Sequence, residues 1–206
     1  MIADDPDAWS AAGFDVEGDT CEVGTIRLRL AGPGPGRGVA SWSLRDATTT
    51  DLDGLDTSLS DRPPADGAPH PNGATTIDHV VVISPDLDRT VEALREAGLD
   101  YRRLREGPAP GGSTRQAFFR MGETILEIVA APDGTKIAAD PTGPARLWGI
   151  SFLAPDLDAT ARTLGPLLGK PRDAVQPGRR IAPLSREAGL GPAIAFMTPG
   201  PGAISV

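Results

Sequence analysis

Several things that whole classes of protein require are scarce in this chain. One cysteine, Cys21, in 206 residues leaves no intrachain disulfide, which excludes a disulfide-stapled secreted scaffold and fits a reducing cytoplasm. No run approaches the roughly 20 apolar residues of a membrane-spanning helix. Residues 1–7, Met-Ile-Ala-Asp-Asp-Pro-Asp, are acidic without an apolar core, so they are expected to be neither signal peptide nor transit sequence, and the expected compartment is the cytoplasm. Basic residues are almost all arginine, with lysine only at Lys136 and Lys170. The 28 acidic against 20 basic side chains give a net charge of −8, and no basic stripe with interleaved aromatics occurs. Nucleic acid and membrane are therefore excluded as partners, and a small molecule is expected instead. Apolar residues make up 39%, lean but sufficient for a packed core.

What the chain does have is a complete βαβββ pattern over residues 76–132. Ile77-Asp78-His79-Val80-Val81-Val82-Ile83 is apolar and β-branched, as a strand requires, and Ser84-Pro85-Asp86 closes it. A helix follows, capped by Asp86 or Asp88. Leu87, Val91 and Leu94 recur at helical spacing, and Gly98 stops it. Three strands are predicted next, over residues 99–105, 114–121 and 123–130, broken by residues 107–112 and by Gly122. His79 on the first strand and Glu127 on the last are each the one ionisable group in an apolar strand centre. Period-two alternation puts Ile77, His79, Val81 and Ile83 on one face, and Ile125, Glu127 and Val129 on one face. If both faces line the concave side, the two groups converge. A lone buried carboxylate costs several kcal/mol unless it finds a cation, a donor or a proton.

The pattern repeats. His79-Val-Val-Val-Ile-Ser-Pro-Asp-Leu-Asp-Arg-Thr90 aligns without gaps on Gly149-Ile-Ser-Phe-Leu-Ala-Pro-Asp-Leu-Asp-Ala-Thr160, and strands are predicted after it over residues 171–176, 179–185 and 193–198. A third Asp-Leu-Asp stands at Asp51, Leu52 and Asp53. Residues 4–60 read as a degenerate third unit: a short helix over 7–12, an alternating strand over 25–30 and another strand over 39–44. The expected division is 1–60 for that unit, 61–75 for a Pro- and Gly-rich linker, 76–132 for the first module and 145–199 for the second, with loose chain after Pro199. The fold class is α+β, built from paired βαβββ modules.

These residues resemble the vicinal oxygen chelate superfamily, the glyoxalase, bleomycin-resistance and extradiol-dioxygenase group. The resemblance rests on the paired modules, on the Ile-Asp-His79-Val-Val-Val opening with its Pro-Asp-Leu-Asp, and on the Glu123-Thr-Ile-Leu-Glu127-Ile-Val strand. It implies that each module supplies one ligand from its first strand and one from its last to a divalent metal, Zn, Ni, Mn or Fe, which holds vicinal oxygens of a substrate. His79 and Glu127 match those positions and become the metal candidates, with Glu127 also the catalytic carboxylate. Gly149 stands where the second module's first ligand belongs, and residues 191–206 contain no His, Asp or Glu. The implied activities are those of a glyoxalase, lyase, isomerase or dioxygenase. The alternative is non-catalytic sequestration of a small molecule, as in antibiotic-binding members, by a monomer or a homodimer.

Arg115, Arg120, Arg146, Arg179 and Arg180 are strand-associated. Arg115, Arg146 and Arg179 are the substrate-binding candidates, able to clamp a carboxylate or phosphate, against the plainer reading of sheet-edge charges. His70, in His-Pro-Asn-Gly, belongs to a turn. The run over residues 32–38 lacks the Gly-Lys-Ser/Thr ending of a phosphate loop and reads as a hairpin connection. Cys21 has no neighbouring base and reads as inert. No serine sits in a Gly-x-Ser-x-Gly elbow.

Overall fold

The computed structural model describes residues 1–33, 38–109 and 112–200. The hairpin expected over residues 32–38, the break over 107–112 and the tail after Pro199 lie wholly or partly outside these residues. In chain order the elements are α1 (Pro6–Ala11), β1 (Thr20–Val23), β2 (Ile26–Arg29), β3 (Trp42–Leu44), β4 (Thr57–Leu59), β5 (Thr76–Ser84), α2 (Leu87–Glu96), β6 (Asp100–Ala109), β7 (Gly112–Met121), β8 (Thr124–Ala130), β9 (Arg146–Leu153), α3 (Leu157–Leu164), β10 (Arg172–Asp173), β11 (Arg180–Pro183) and β12 (Ala193–Met197). The architecture is α+β, with the βαβββ order present twice. Two compact units divide the chain. One holds Met1–Ala40, Pro63–Asp78 and the chain from Gly149 on; the other holds Ser41–Arg62 and His79–Trp148. No helix among the described residues is long and apolar enough to cross a membrane.

In the unit containing the first module, β5 pairs parallel with β8, β8 antiparallel with β7, and β7 antiparallel with β6. Asp86 is the cap of α2, its carboxylate accepting from the Arg89 backbone N–H at 3.1 Å, and Gly98 beyond the helix end takes φ +85°, a conformation glycine adopts without strain. The helix lays Leu87 and Leu94 onto Val82, Ala117, Phe119, Leu126 and Ile128. Residues 41–62 add Leu52 and Leu55 to the same core. The Asp-Leu-Asp of this segment forms no helix. Its Leu52 is fully buried, and its Asp53 accepts from Arg89 Nε at 2.6 Å and from the Thr90 hydroxyl. Arg89 also donates to the carbonyls of Pro141 and Gly143, each at 2.6 Å. One guanidinium thus ties the start of α2 to two loops.

The second module repeats the topology: β9 parallel to β12, β12 antiparallel to β11, and β11 antiparallel to β10. Asp156 caps α3 by accepting from the Ala159 N–H at 2.8 Å. Its outer strands are shorter than predicted, β10 having two residues and β11 four, because Pro171, Pro177 and Pro183 carry no ladder donor. Gly149 lies where a side chain has no room: a Cβ there would stand 2.6 Å from the Ala193 carbonyl oxygen on β12.

Residues 1–40 complete the core of this unit. Asp5 caps α1, accepting from the Asp7 N–H at 3.0 Å. Trp9 and Phe14, with ring centroids 4.8 Å apart, meet Phe152 and Phe196 of the paired strands, Phe14 lying 5.0 Å from Phe152. The buried Asp4 carboxylate accepts from Trp9 Nε1 at 3.0 Å and from the Gly191 N–H at 2.9 Å. Residues 63–78 run against the β1–β2 hairpin, with the Ala65 and Gly67 N–H groups donating to the carbonyls of Thr25 and Gly24. A Cβ on Gly67 would come within 2.2 Å of the Glu22 carbonyl. His70 opens the expected turn, its carbonyl accepting from the Gly73 N–H, while its Nδ1 accepts from the Asp15 N–H at 2.9 Å. Cys21 is fully buried, and burial first, then the Asp15 charge, pushes its thiol up to about 12, which removes it as a nucleophile at neutral pH.

Gly149→Ala is expected to cost about 1–3 kcal/mol, because the added carbon must displace backbone; urea unfolding that leaves the midpoint unchanged would contradict the close approach. Burial holds the His70 imidazole below its ordinary value, outweighing the opposing pull of Asp15 and of the Glu22 carbonyl, to which Nε2 makes no hydrogen bond of good geometry. The unfolded chain therefore takes up the proton first as the pH falls. As far as His70 is concerned, stability should be flat between about pH 7 and 8 and decline once the pH drops below the ordinary histidine range near 6.5, the buried Cys21 thiol costing stability only as the pH rises past the ordinary cysteine range of about 8.5. A His70→Gln variant should lack that decline in melting scans.

Candidate functional site

Strand alternation fixes which groups can meet in the first module. The face of the sheet under α2 takes Val80, Val82, Ala117, Phe119, Leu126 and Ile128. The opposite phase takes His79, Val81, Ile125, Glu127, Gln116 and Phe118. Val81 is the Cα partner of Glu127, His79 of Ile125, and Phe118 of Glu127 on the other side. His79 and Glu127 are thus diagonal neighbours across a parallel pair, and the structure brings them together: His79 Nε2 lies 3.7 Å from Glu127 Oε2, each side chain 16% exposed. At that distance the contact is electrostatic rather than a hydrogen bond. Glu127 Oε1 accepts from Gln116 Nε2 at 2.6 Å. The far oxygen of that amide, Gln116 Oε1, is buried and has no hydrogen-bond partner among the described residues.

The sequence singled out His79 and Glu127 but missed Gln116. A glutamine in a strand carries no charge signal, and only the β7–β8 register shows that it faces Glu127.

The three substrate-binding candidates, Arg115, Arg146 and Arg179, have these partners and positions. Arg115 is in the phase of β7 that faces α2. It donates to Asp88 at the start of that helix, at 2.9 and 3.2 Å, and to Glu106 at 3.0 Å. Those hydrogen bonds raise the Arg115 pKa and lower that of Asp88. Arg179, in the other unit, donates to Asp78 at 2.6 Å and to the Thr198 carbonyl at 2.8 Å. Arg146 is exposed at the start of β9. Arg115, in the same unit as the His79–Glu127 pair, thus spends its guanidinium on Asp88 and Glu106 on the face under α2. Arg180 is tied to Asp158 by two hydrogen bonds, at 2.9 and 3.0 Å.

A divalent cofactor finds an incomplete donor set here. A first-row ion at a catalytic site takes about three protein ligands. This face offers one imidazole nitrogen and one carboxylate, with a neutral amide already bonded to that carboxylate. Among the described residues no group of three or more His, Cys, Asp or Glu is placed to hold a metal ion. At the position equivalent to His79 stands Gly149, where even a Cβ meets backbone. The residues present do not fit a resident metal.

A family model described as a glyoxalase-like domain matches residues 77–196. No curated protein matches the chain. Among solved structures, two single-site variants of Streptomyces coelicolor methylmalonyl-CoA epimerase, in complex with 2-nitronate-propionyl-CoA, are similar with TM-scores of 0.51 and 0.50. Each is 22% identical and covers 65% of this chain and 99% of its own. Methylmalonyl-CoA epimerase from Mycobacterium tuberculosis has a TM-score of 0.49 at 21% identity, over 63% of this chain and 91% of its own. At such identities the likeness is one of fold. With the family model spanning more than half of the chain and both βαβββ modules in place, the protein belongs to the glyoxalase-like domain family and has the vicinal oxygen chelate fold.

Proposed function

We propose that the protein binds and acts on a small oxygen-bearing molecule at the open face of the first module, with Glu127 as proton acceptor and His79 as hydrogen-bond donor to the substrate oxygen. The observation that carries this reading is the 3.7 Å approach of His79 to Glu127 in the middle of an otherwise apolar strand face. Gln116 donates to Oε1, and Oε2 is the oxygen on the His79 side. For a substrate with an acidic C–H beside a carbonyl, Glu127 Oε2 takes the proton, and an imidazole N–H of His79 stabilises the negative charge that develops on the carbonyl oxygen. Partial burial strengthens both effects. The implied class is proton abstraction next to a carbonyl, as in isomerases and lyases. The donors at this pair are too few to hold Zn, Ni, Mn or Fe. Calorimetric titration with these ions, alone and with a 2-oxo acid, checks this, and stoichiometric binding would restore the metal-assisted version.

Glu127→Gln separates a working dyad from a structural one. It keeps the shape and removes the charge. A working carboxylate is a stability liability, so the variant should melt at or above the parent while losing its response to added 2-oxo acids. A variant that melts clearly lower, corresponding to loss of about 3–5 kcal/mol, with unchanged ligand response, would make the pair a structural ion pair.

One observation favours a second reading, sequestration without chemistry: the close backbone approach at Gly149 excludes the second module's ligand altogether. Under that reading, bulky ligands raise the melting temperature, chelator has no effect, and Glu127→Gln leaves the shift intact.

A further inference from the structure

The open face of the first module carries arginines that are tied to no carboxylate among the described residues: Arg103 and Arg105, in the cross-strand rows of Glu127 and of Gln116, and Arg120, in the row of His79. Arg103 on β6 is the Cα partner of Phe118 on β7, which is in turn the partner of Glu127 on β8. Arg105 is the partner of Gln116, the residue that donates to Glu127. Both arginines therefore share the phase of Gln116, Phe118 and Glu127 and point away from α2. The Arg103 guanidinium sits over the Phe118 ring, 5.0 Å from its centroid, which fixes the cation without neutralising it. Among the described residues neither guanidinium has an ion pair or hydrogen bond.

Other arginines of this chain, where acids outnumber bases 28 to 20, do find carboxylates. Arg27, Arg29, Arg89, Arg95, Arg102, Arg115, Arg179 and Arg180 are each within ion-pair distance of a carboxylate. Glu127 is the one acid within the rows of Arg103 and Arg105, and it is engaged by Gln116 and His79. Those rows hold two arginines against a single glutamate.

We infer that Arg103 and Arg105 form the anion-recognising end of the site, taking a carboxylate or a phosphate monoester of the same molecule whose carbonyl end meets His79 and Glu127. Neighbouring strands are about 4.8 Å apart, so β6 lies roughly 10 Å from β8. Extended arginine side chains shorten that span, which suits a substrate whose anionic group stands a few bonds from the reacting carbon. Guanidinium is suited to this role because its planar fork meets two oxygens of either anion at once. The inference deepens the proposed function and rests on the dyad being the reacting end.

The test uses calorimetry with malonate and glycerol 3-phosphate as the two anion classes and dihydroxyacetone as the neutral control. The proteins are the parent, the double variant Arg103→Gln/Arg105→Gln, and the charge-keeping Arg103→Lys/Arg105→Lys. Both arginines lie at least partly on the surface, and melting curves confirm that the variants fold. At least one anion should bind the parent, weaken with added salt, lose tenfold or more in the glutamine variant and recover in part in the lysine variant. Which anion binds identifies the class, and dihydroxyacetone should change less than twofold. Equal anion affinity in parent and glutamine variant, or no binding of either anion by the parent, overturns the inference. The dyad reading fails separately: an anion that binds through the arginines while the His79 ring resonances stay unshifted removes the dyad and leaves the arginine site.

Discussion

The register of β8 against β5 is the constraint on which the candidate site depends. Because side chains alternate, placing Leu126 and Ile128 under α2 forces Glu127 onto the other face, and placing Val80 and Val82 there does the same for His79. A slip of one residue would bury the carboxylate among Leu87, Leu94 and Phe119, where an unpaired charge is prohibitive. The hydrophobic core and the polar pair thus enforce the same register from opposite faces. Gln116 adds a neutral hydrogen bond that any other β7–β8 register would lose.

The two modules share a topology and differ in what they can hold. In the first, the strand pair carries an imidazole and a carboxylate. In the second, the equivalent strand brings Gly149 so close to Ala193 that no side chain fits, and the neighbouring residues are spent on packing Phe152 and Phe196 against Trp9 and Phe14. The amino-terminal residues bear directly on this. Their aromatic rings and the buried Asp4, bonded to Trp9 and to the Gly191 backbone, give the second unit a core that its short outer strands do not supply alone.

Arginine is the main basic residue of the chain, and its placement divides by task. Arg89 anchors two loops to the start of α2, Arg115 bridges α2 and the β6–β7 hairpin, and Arg179 joins Asp78 to the chain after β12. Each brings together segments distant in sequence by hydrogen bonds that a planar fork makes well. Arg103 and Arg105 do none of this, and their charge remains on the face that carries Glu127.

The sequence by itself determined the modules. Proline, glycine and the Asp caps punctuate each βαβββ pattern, the helices fall where Leu recurs at helical spacing after Asp86 and Asp156, and the repeat of His79–Thr90 at Gly149–Thr160 is visible by alignment alone. Period two also put His79 and Glu127 each on a definite face of its own strand, because alternation is a local property. Which strands pair, and in what register, is not local. Only the tertiary structure decided that Gln116 meets Glu127, that Arg115 faces α2 and is held by Asp88 and Glu106, and that Arg103 and Arg105, indistinguishable in sequence from any other arginine, share the face of the dyad. Asp53 makes the same point: its motif matches two helix caps, yet the long-range contact with Arg89 turns it into a clamp, since a carboxylate takes whichever donors the packed chain delivers.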